Sequence, residues 1–301
     1  MFTKLWQTKT SHSIGIYFRP DMVAVVVMNK SGLQQLHTQP VTSSELWPQA
    51  LSEIVSKHQL KKGRVYAVLS QHFYQQLQIE RPNVADDELN QSLPFAIKEL
   101  VSEPVHELVL DYYQVPSVPM MAERLNVIYS QKSVIKRVVK SVAMAGLTLE
   151  HIGIVELALA NLLTSKAETQ MLIYQHSADD VLVSVVRDNA LYFSRHLRGF
   201  QSLCQQTKQM DTFLLEGLGL EIQRSLDYVV AQLKIADVSR IKLSLPSPHA
   251  NEIAEQIGEA LGRKVIAIQM PDTPEQSDAL PAMAALPFVE KLNLTSVEVA
   301  E

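Results

Sequence analysis

A single cysteine, Cys204, occurs in a chain of 301 residues. That scarcity excludes an internal disulfide framework and a zinc site built from cysteines, and Cys204 itself reads as an ordinary half-buried thiol. Glycine is sparse as well, at 10 residues. None of the glycine-bearing signatures of phosphate or nucleophile chemistry is present: no P-loop, no Gly-x-Gly-x-x-Gly and no Gly-x-Ser-x-Gly. There is no apolar run approaching the roughly 18 residues that span a bilayer. The opening stretch, Met1 to Ser13, has no signal-peptide apolar region. Phe2, Leu5 and Trp6 are too few to hold lipid alone and read as a loosely packed terminus. A basic surplus is missing too: 27 Lys and Arg stand against 32 Asp and Glu, for a net charge of −5. Nucleic acid is therefore not an expected partner. His106, His151, His176, His196 and His249 lack metal-ligand spacing, so neither a metal nor a catalytic constellation is expected. From these absences the chain is expected in the cytoplasm, or on the inner face of a membrane through a partner.

What is present is a core-forming composition, 47% hydrophobic and 20% charged, in a length that suits one large domain or two lobes. One pattern occurs twice. Ile14-Gly15-Ile16-Tyr17 runs into a short break at Phe18 to Asp21, then a second apolar run, Met22 to Met28, ends at Asn29-Lys30-Ser31-Gly32. In mid-chain, Leu172-Ile173-Tyr174 runs into Gln175 to Asp180, and Val181 to Val186 ends at Arg187-Asp188-Asn189. Each reads as strand, tight loop, strand, turn. Two such hairpins, each opening one half of the chain, predict a duplicated fold whose loops face one another across a cleft. Nucleotide phosphates normally sit in such a cleft.

The remaining pattern alternates strands with helices, an α/β class. A first lobe is expected over 1–168, a second over 169–285 and a tail over 286–301. Within the first lobe an insert of about 64–145 reads as strand, helix, strand, strand. Its helix is expected over 86–101, with Asp86 and Asp87 favouring its start and Pro94 inside it. Ser43 or Ser44 is the expected cap of a helix near 47–58. In the second lobe, helices are expected over 202–213 and 218–234, with Glu216-Gly217-Leu218-Gly219 as a hinge or helix start between them.

The two loops lack the groups that hold a nucleotide. Magnesium binding needs an Asp at the end of each first strand, and close phosphate approach needs Gly, Ser or Thr after it. The chain instead has Tyr17-Phe18-Arg19-Pro20 and Tyr174-Gln175-His176-Ser177. Pro20 has no N–H, while Phe18 and Arg19 fill the phosphate space. Arg19 and His176 read as solvated loop residues, with anion attraction as the alternative; Asp179-Asp180 reads as loop charge. A glycine pair expected under adenine is replaced by Pro246-Ser247-Pro248. The degenerate positions are thus Tyr17, Arg19, Tyr174, Ser177 and Ser247, and no cofactor is expected.

Several segments carry a family resemblance. Ile14-Gly15-Ile16 with its hairpin, Leu89-Asn90-Gln91-Ser92-Leu93-Pro94-Phe95, Leu110-Asp111-Tyr112 and Glu221 to Tyr228 resemble the PilM family of type IV pilus assembly, and within it the MshI branch of mannose-sensitive haemagglutinin (MSHA) pilus systems. The likeness covers roughly residues 13 to 285. It departs from the family where PilM has Asp, at Tyr17 and Tyr174, and where PilM has Gly-Gly, at Pro246-Ser247. The resemblance implies an actin-like (ribonuclease H-like) two-lobed fold with the insert of FtsA and PilM, peripheral on the inner membrane. It also implies a role as a non-catalytic scaffold that binds the cytoplasmic N-terminal segment of a PilN-like bitopic protein beside other pilus components. Residues implied near that segment are Leu89, Leu93, Phe95, Ile97, Leu110 and Tyr112. A weak ATPase whose nucleotide state regulates assembly is the alternative, and a filament former a third reading. Lys291-Leu292-Asn293-Leu294 is similar to the Ile-Asn-Leu core of PilN-type segments, which suggests self-association through the tail, 288–301.

Overall fold

The computed structural model describes residues 12–60, 63–116, 122–163, 168–177, 179–207, 210–269, 278–287 and 295–296. Phe2, Leu5, Trp6, the proline-rich loop at 117–121 and the tail segment 288–294 lie outside these residues. The first hairpin forms as expected. Strands β1 (Ser13–Phe18) and β2 (Met22–Asn29) are apolar almost throughout and buried on both faces, so they need cover from two sides. β3 (Gly32–Pro40) completes an antiparallel meander at the edge of the sheet, with only Gly32 fully buried. Helix α1 (Trp47–Lys57) follows. Ser43 caps the short 3-10 turn Ser44–Leu46 that precedes it rather than α1 itself, which starts on Trp47-Pro48. β4 (Arg64–Leu69) then pairs parallel with β1.

A small subdomain comes next: β5 (Gln75–Glu80), α2 (Leu89–Ile97), β6 (Leu108–Gln114) and β7 (Arg124–Gln131), with the sheet ordered β5-β7-β6. Ile79, Leu125 and Val127 on that sheet meet Leu89, Leu93 and Ile97 of α2 in a core of their own. The expected insert of 64–145 is too wide at both ends. β4 belongs to the first sheet, and α3 (Lys132–Met144) packs its Val134, Val138 and Val142 face into the first lobe's core beside α1. The expected helix over 86–101 is likewise shorter. Asp86 to Glu88 form a turn before it, with Glu88 N–H bonded to the Ala85 carbonyl. β8 (Thr148–Ile154) returns parallel to β4, giving the order β3-β2-β1-β4-β8, and leads into α4 (Val155–Ala160).

The second lobe repeats the plan. β9 (Gln170–Tyr174), β10 (Val181–Arg187) and β11 (Ala190–Leu197) form the meander. Helix α5 (Thr212–Ala231) is one continuous helix, not two. Its N-cap is Asp211, whose carboxylate accepts from Leu214 N–H, and residues 203–205 form only a 3-10 turn. The Gly217 and Gly219 pair lies inside α5 because that helix crosses a neighbour closely there: a Cβ on Gly219 would lie 3.1 Å from that of Ala260. β12 (Arg240–Ser244), α6 (Ala250–Leu261) and β13 (Val265–Gln269) complete the repeat, with β12 and β13 parallel. The sheet order β11-β10-β9-β12-β13 mirrors the first sheet. Helix α7 (Leu280–Ala284) follows, and β14 (Thr295–Ser296) pairs antiparallel with β13.

The lobes share a seam. α7 is buried at every residue, and one apolar cluster joins Ile14, Ile16, Leu159 and Leu280 to Leu172, Tyr174, Leu182 and Leu191 of the second sheet. Asn161 Nδ2 donates to the Ala284 carbonyl at 2.9 Å, tying α7 to the end of α4. No helix among the described residues is long and apolar enough to cross a membrane.

Gly15 is where β1 touches α7. A Cβ there would overlap the Ala282 carbonyl oxygen and lie 2.7 Å from its carbon. Backbone on both sides leaves no side chain to yield. Gly15→Ala is expected to cost about 3 kcal/mol, the upper end of ordinary overpacking. Urea unfolding checks this; an unchanged midpoint would show that the seam relaxes freely.

Candidate functional site

The two hairpin loops meet, as their duplication predicts, but with different chemistry from that expected of solvated residues. Arg19 leaves the end of β1 and is only 3% exposed. Its N–H closes the loop on the Met22 carbonyl at 3.0 Å, and the Trp47 indole N–H donates to its carbonyl at 2.8 Å. The guanidinium forks between two carboxylates. Nε donates to Asp21 Oδ1 at 2.9 Å, Nη2 donates to Asp179 Oδ1 at 3.2 Å, and Nη1 makes a second, shorter bond to Asp179. Asp179 sits on the β9–β10 loop, so this bridge joins the lobes. His72 Nε2 approaches the same carboxylate at 3.6 Å. Burial opposes the charge on Arg19, but its bonds to Asp179 and Asp21 and the nearby Tyr17 outweigh that and hold its pKa above the ordinary value.

Beneath the bridge lie three rings. Tyr17 packs edge-on to His176, centroids 5.9 Å apart. Burial pushes the Tyr17 phenol well above its usual value, against the opposing pull of Arg19. Tyr174 shifts the same way, first through burial and then through Tyr17. His176 goes down, to about 4, through burial and then the Arg19 charge. It is therefore neutral near pH 7. Its Nε2 lies 3.2 Å from Asp278 Oδ1 without making a hydrogen bond, and the Tyr174 hydroxyl is also buried without one. This set does not fit a magnesium triphosphate. The phenols stay protonated and give a cation no charge, and the one buried guanidinium is already neutralised by carboxylates.

The expectation that Arg19 and His176 are solvated fails because the lobes close over them. Asp179 is not loose loop charge but the partner of Arg19. Ser177 takes a left-handed φ of 41° and its carbonyl accepts from the Cys204 thiol at 2.7 Å. Ser247 serves the start of α6: its carbonyl accepts from Ala250 N–H and its hydroxyl from His249 N–H. It is not among the residues lining the cleft described next.

That cleft, about 1100 Å³, separates the small subdomain from the second lobe. One wall is the segment 71–78, ending on β5; the other carries Tyr192, Ser194, His196 and Arg198 of β11 and the turn after it. At its base is Glu156, fully buried in the first turn of α4. Glu156 accepts from the Tyr74 hydroxyl and, at 2.7 Å, from Gln76 Nε2, and it meets His196 Nε2 at 2.9 Å across the cleft. Burial and then the Glu156 charge raise the Tyr74 phenol well above its usual value. Sequence reasoning set His196 aside and did not single out Glu156. A signal was available: Glu156 is the lone charge in the apolar run Ile152 to Leu159, and a buried carboxylate needs partners. Among the described residues no group of His, Cys, Asp and Glu is arranged to hold a metal ion.

The residues expected near a partner segment divide. Leu89, Leu93 and Ile97 are fully buried, because the apolar face of α2 is spent on its own sheet. They cannot touch a partner. Leu110 and Tyr112 are partly buried against the same core. Phe95 is different, at 82% exposed, with Leu100 nearby in the chain at 61%.

No protein-family model matches the chain, and no curated protein matches it in sequence. Solved structures do resemble it in shape. One is a PilM–PilN type IV pilus biogenesis complex: TM-score 0.69, 14% identity, covering 91% of this chain and 97% of that one. A second is the cytoplasmic domain of EpsL, an inner membrane component of the type II secretion system of Vibrio cholerae: TM-score 0.53, 14% identity, 91% and 94% covered. A third is a Bacteroides thetaiotaomicron protein with an actin-like ATPase fold: TM-score 0.51, 11% identity, 92% and 98% covered. The fold is therefore actin-like, in agreement with the duplicated hairpins and the matching strand orders.

The lowered His176 gives a pH test. The unfolded histidine titrates near 6.5 and the folded one near about 4. Between those values the unfolded chain binds a proton that the folded chain does not, so stability is full above about 6.5 and falls as pH drops toward 4. The expected contribution is about 3 kcal/mol. Urea unfolding at pH 7 and pH 4.5 should show a smaller loss in His176→Gln than in the unaltered protein. Equal losses would mean that His176 is not buried neutral.

Proposed function

We propose that this chain is a catalytically silent scaffold of type IV pilus assembly, of the MshI kind found in MSHA systems. It binds the cytoplasmic N-terminal segment of a PilN-like inner-membrane protein, alongside other assembly components, and stays at the inner face of the membrane through that contact. The observation that carries the silent half of the reading is the bridge at the loops: Arg19 is held by Asp21 and Asp179 where a phosphate-binding loop keeps open backbone donors. The whole-chain likeness to the PilM–PilN complex supports the partner half. The likeness to EpsL, itself part of an inner-membrane machine, points the same way.

For the partner's site, the burial of α2 shifts attention from Leu89, Leu93 and Ile97 to the outward Phe95 and Leu100. A short segment needs an apolar anchor of this kind more than it needs area. The tail belongs to the same reading. Its described residues, Thr295–Ser296, lie against β13 of their own chain, which favours docking on this subunit over exchange between copies.

Two measurements test the reading. Millimolar Mg-ATP should leave the melting temperature unchanged, whereas a ligand at 100 times its dissociation constant would add about 2.7 kcal/mol. A clear shift would favour a nucleotide-regulated ATPase instead. The immobilised N-terminal cytoplasmic peptide of the PilN-like protein from the same pilus system should retain the chain. Phe95→Ser should weaken that binding at least tenfold, about 1.4 kcal/mol, with no loss of thermal stability because the ring is already in water. A peptide that fails to retain the folded chain removes the partner half.

A further inference from the structure

We infer that the bridge from Arg19 to Asp179 is a built-in latch that holds the two lobes closed over the cleft without any ligand. Arg19 stands on the β1–β2 loop of one lobe and Asp179 on the β9–β10 loop of the other, 160 residues apart in sequence. A ligand that touches both loops of a two-lobed fold closes it only while bound, and in proportion to its concentration. Here the bridging charges belong to the chain, so closure is independent of concentration.

Burial makes this contact count. The Arg19 side chain is 3% exposed and that of Asp179 11%. Charged groups at the solvent surface pair weakly, but a two-pronged guanidinium–carboxylate contact shielded from water is strong and directional. Opening the lobes would leave Arg19 with Asp21 alone and would take from Asp179 both Arg19 and the more distant His72, which also stands on the first-lobe side. Two further contacts across the cleft depend on the same closure. His196 of β11 reaches Glu156, and the Tyr113 hydroxyl, which also contacts Gln76 and Asn126, meets Ser194 of β11. Beneath them the shared apolar cluster around α4 and α7 serves as the hinge. The arrangement is thus a greasy hinge at the bottom, a polar cleft beside it, and one buried ion pair clasping the loops. Asp21 is the internal control. It binds the same guanidinium but lies on the same loop as Arg19, so it stabilises the loop without joining the lobes.

The test places fluorophores on the two cleft walls, at Gln78→Cys and Arg198→Cys in a Cys204→Ser background. Energy transfer then reports the gap. The latch predicts one short distance, unchanged by millimolar Mg-ATP. Asp179→Asn should lengthen and broaden it, while Asp21→Asn should leave it as it was. Equal effects of the two substitutions, or none from Asp179→Asn, would overturn the latch. Should Asp179→Asn fail to fold, the labelled protein with Arg19 and Asp179 intact decides. A single narrow distance across the cleft supports the latch, and a broad spread of distances would show that the lobes part freely and overturn it. Loss of peptide binding leaves this inference standing, and a freely opening cleft leaves the contact with the partner peptide standing, so the latch and the partner half of the scaffold reading fail separately.

Discussion

Burial on both faces of the central strands is the constraint from which the architecture follows. β1, β2, β9 and β10 are nearly without polar side chains, and each must be covered above and below. In the first lobe α1 and α3 cover one face; in the second, α5 and α6 do the same. The opposite faces turn toward each other, and α4 and α7 fill the space between. The result is a seam whose apolar residues come from both lobes, with Gly15 allowing β1 to lie directly on the backbone of α7. Neither lobe has a complete core alone.

A seam that tight leaves little room for charge, and the charges it does contain are matched with care. Arg19 has two carboxylates and Glu156 has a phenol, an amide and an imidazole. An unmatched charge at either place would carry a desolvation penalty of several kcal/mol. Both centres draw partners from the opposite lobe. The polar contacts that specify how the lobes sit are therefore concentrated where an actin-like fold has its cleft, while the apolar cluster supplies the cohesion.

The same arrangement bears on function. The loops that cradle a nucleotide in relatives of this fold work by leaving donors unfilled until phosphate arrives. Here the N–H groups of Arg19, Gln175 and Asp179 are bonded within the chain, the Arg19 guanidinium is held by carboxylates, and Tyr17 and Tyr174 stand at the strand ends. In the proposed scaffold role, such a molecule would present a fixed surface. The small subdomain offers one: its core is closed by α2, so its exposed ring, Phe95, is free of structural duty.

Much of the scaffold was legible in the sequence because it rests on local patterns. The twin hairpins, the alternation of strand and helix, the strand-helix-strand-strand insert and the loss of carboxylates at Tyr17 and Tyr174 follow from residue order alone. Errors came where tertiary contacts overrode local signals. Two glycines resembled a hinge, yet Gly219 lies inside α5 because that helix needs a close crossing with α6. β4 and α3 looked like part of the insert, yet parallel pairing with β1 and packing beside α1 assign them to the first lobe. Leu89, Leu93 and Ile97 looked available to a partner, and only the fold shows that their own sheet consumes them. The sequence by itself determined which residues must be buried, since hydrophobicity and spacing are properties of the chain. Which charges meet was decided by the tertiary structure alone. Arg19 and Asp179 read as solvated while they are 160 residues apart; an ion pair depends on distance, and only folding brings the two within reach of each other.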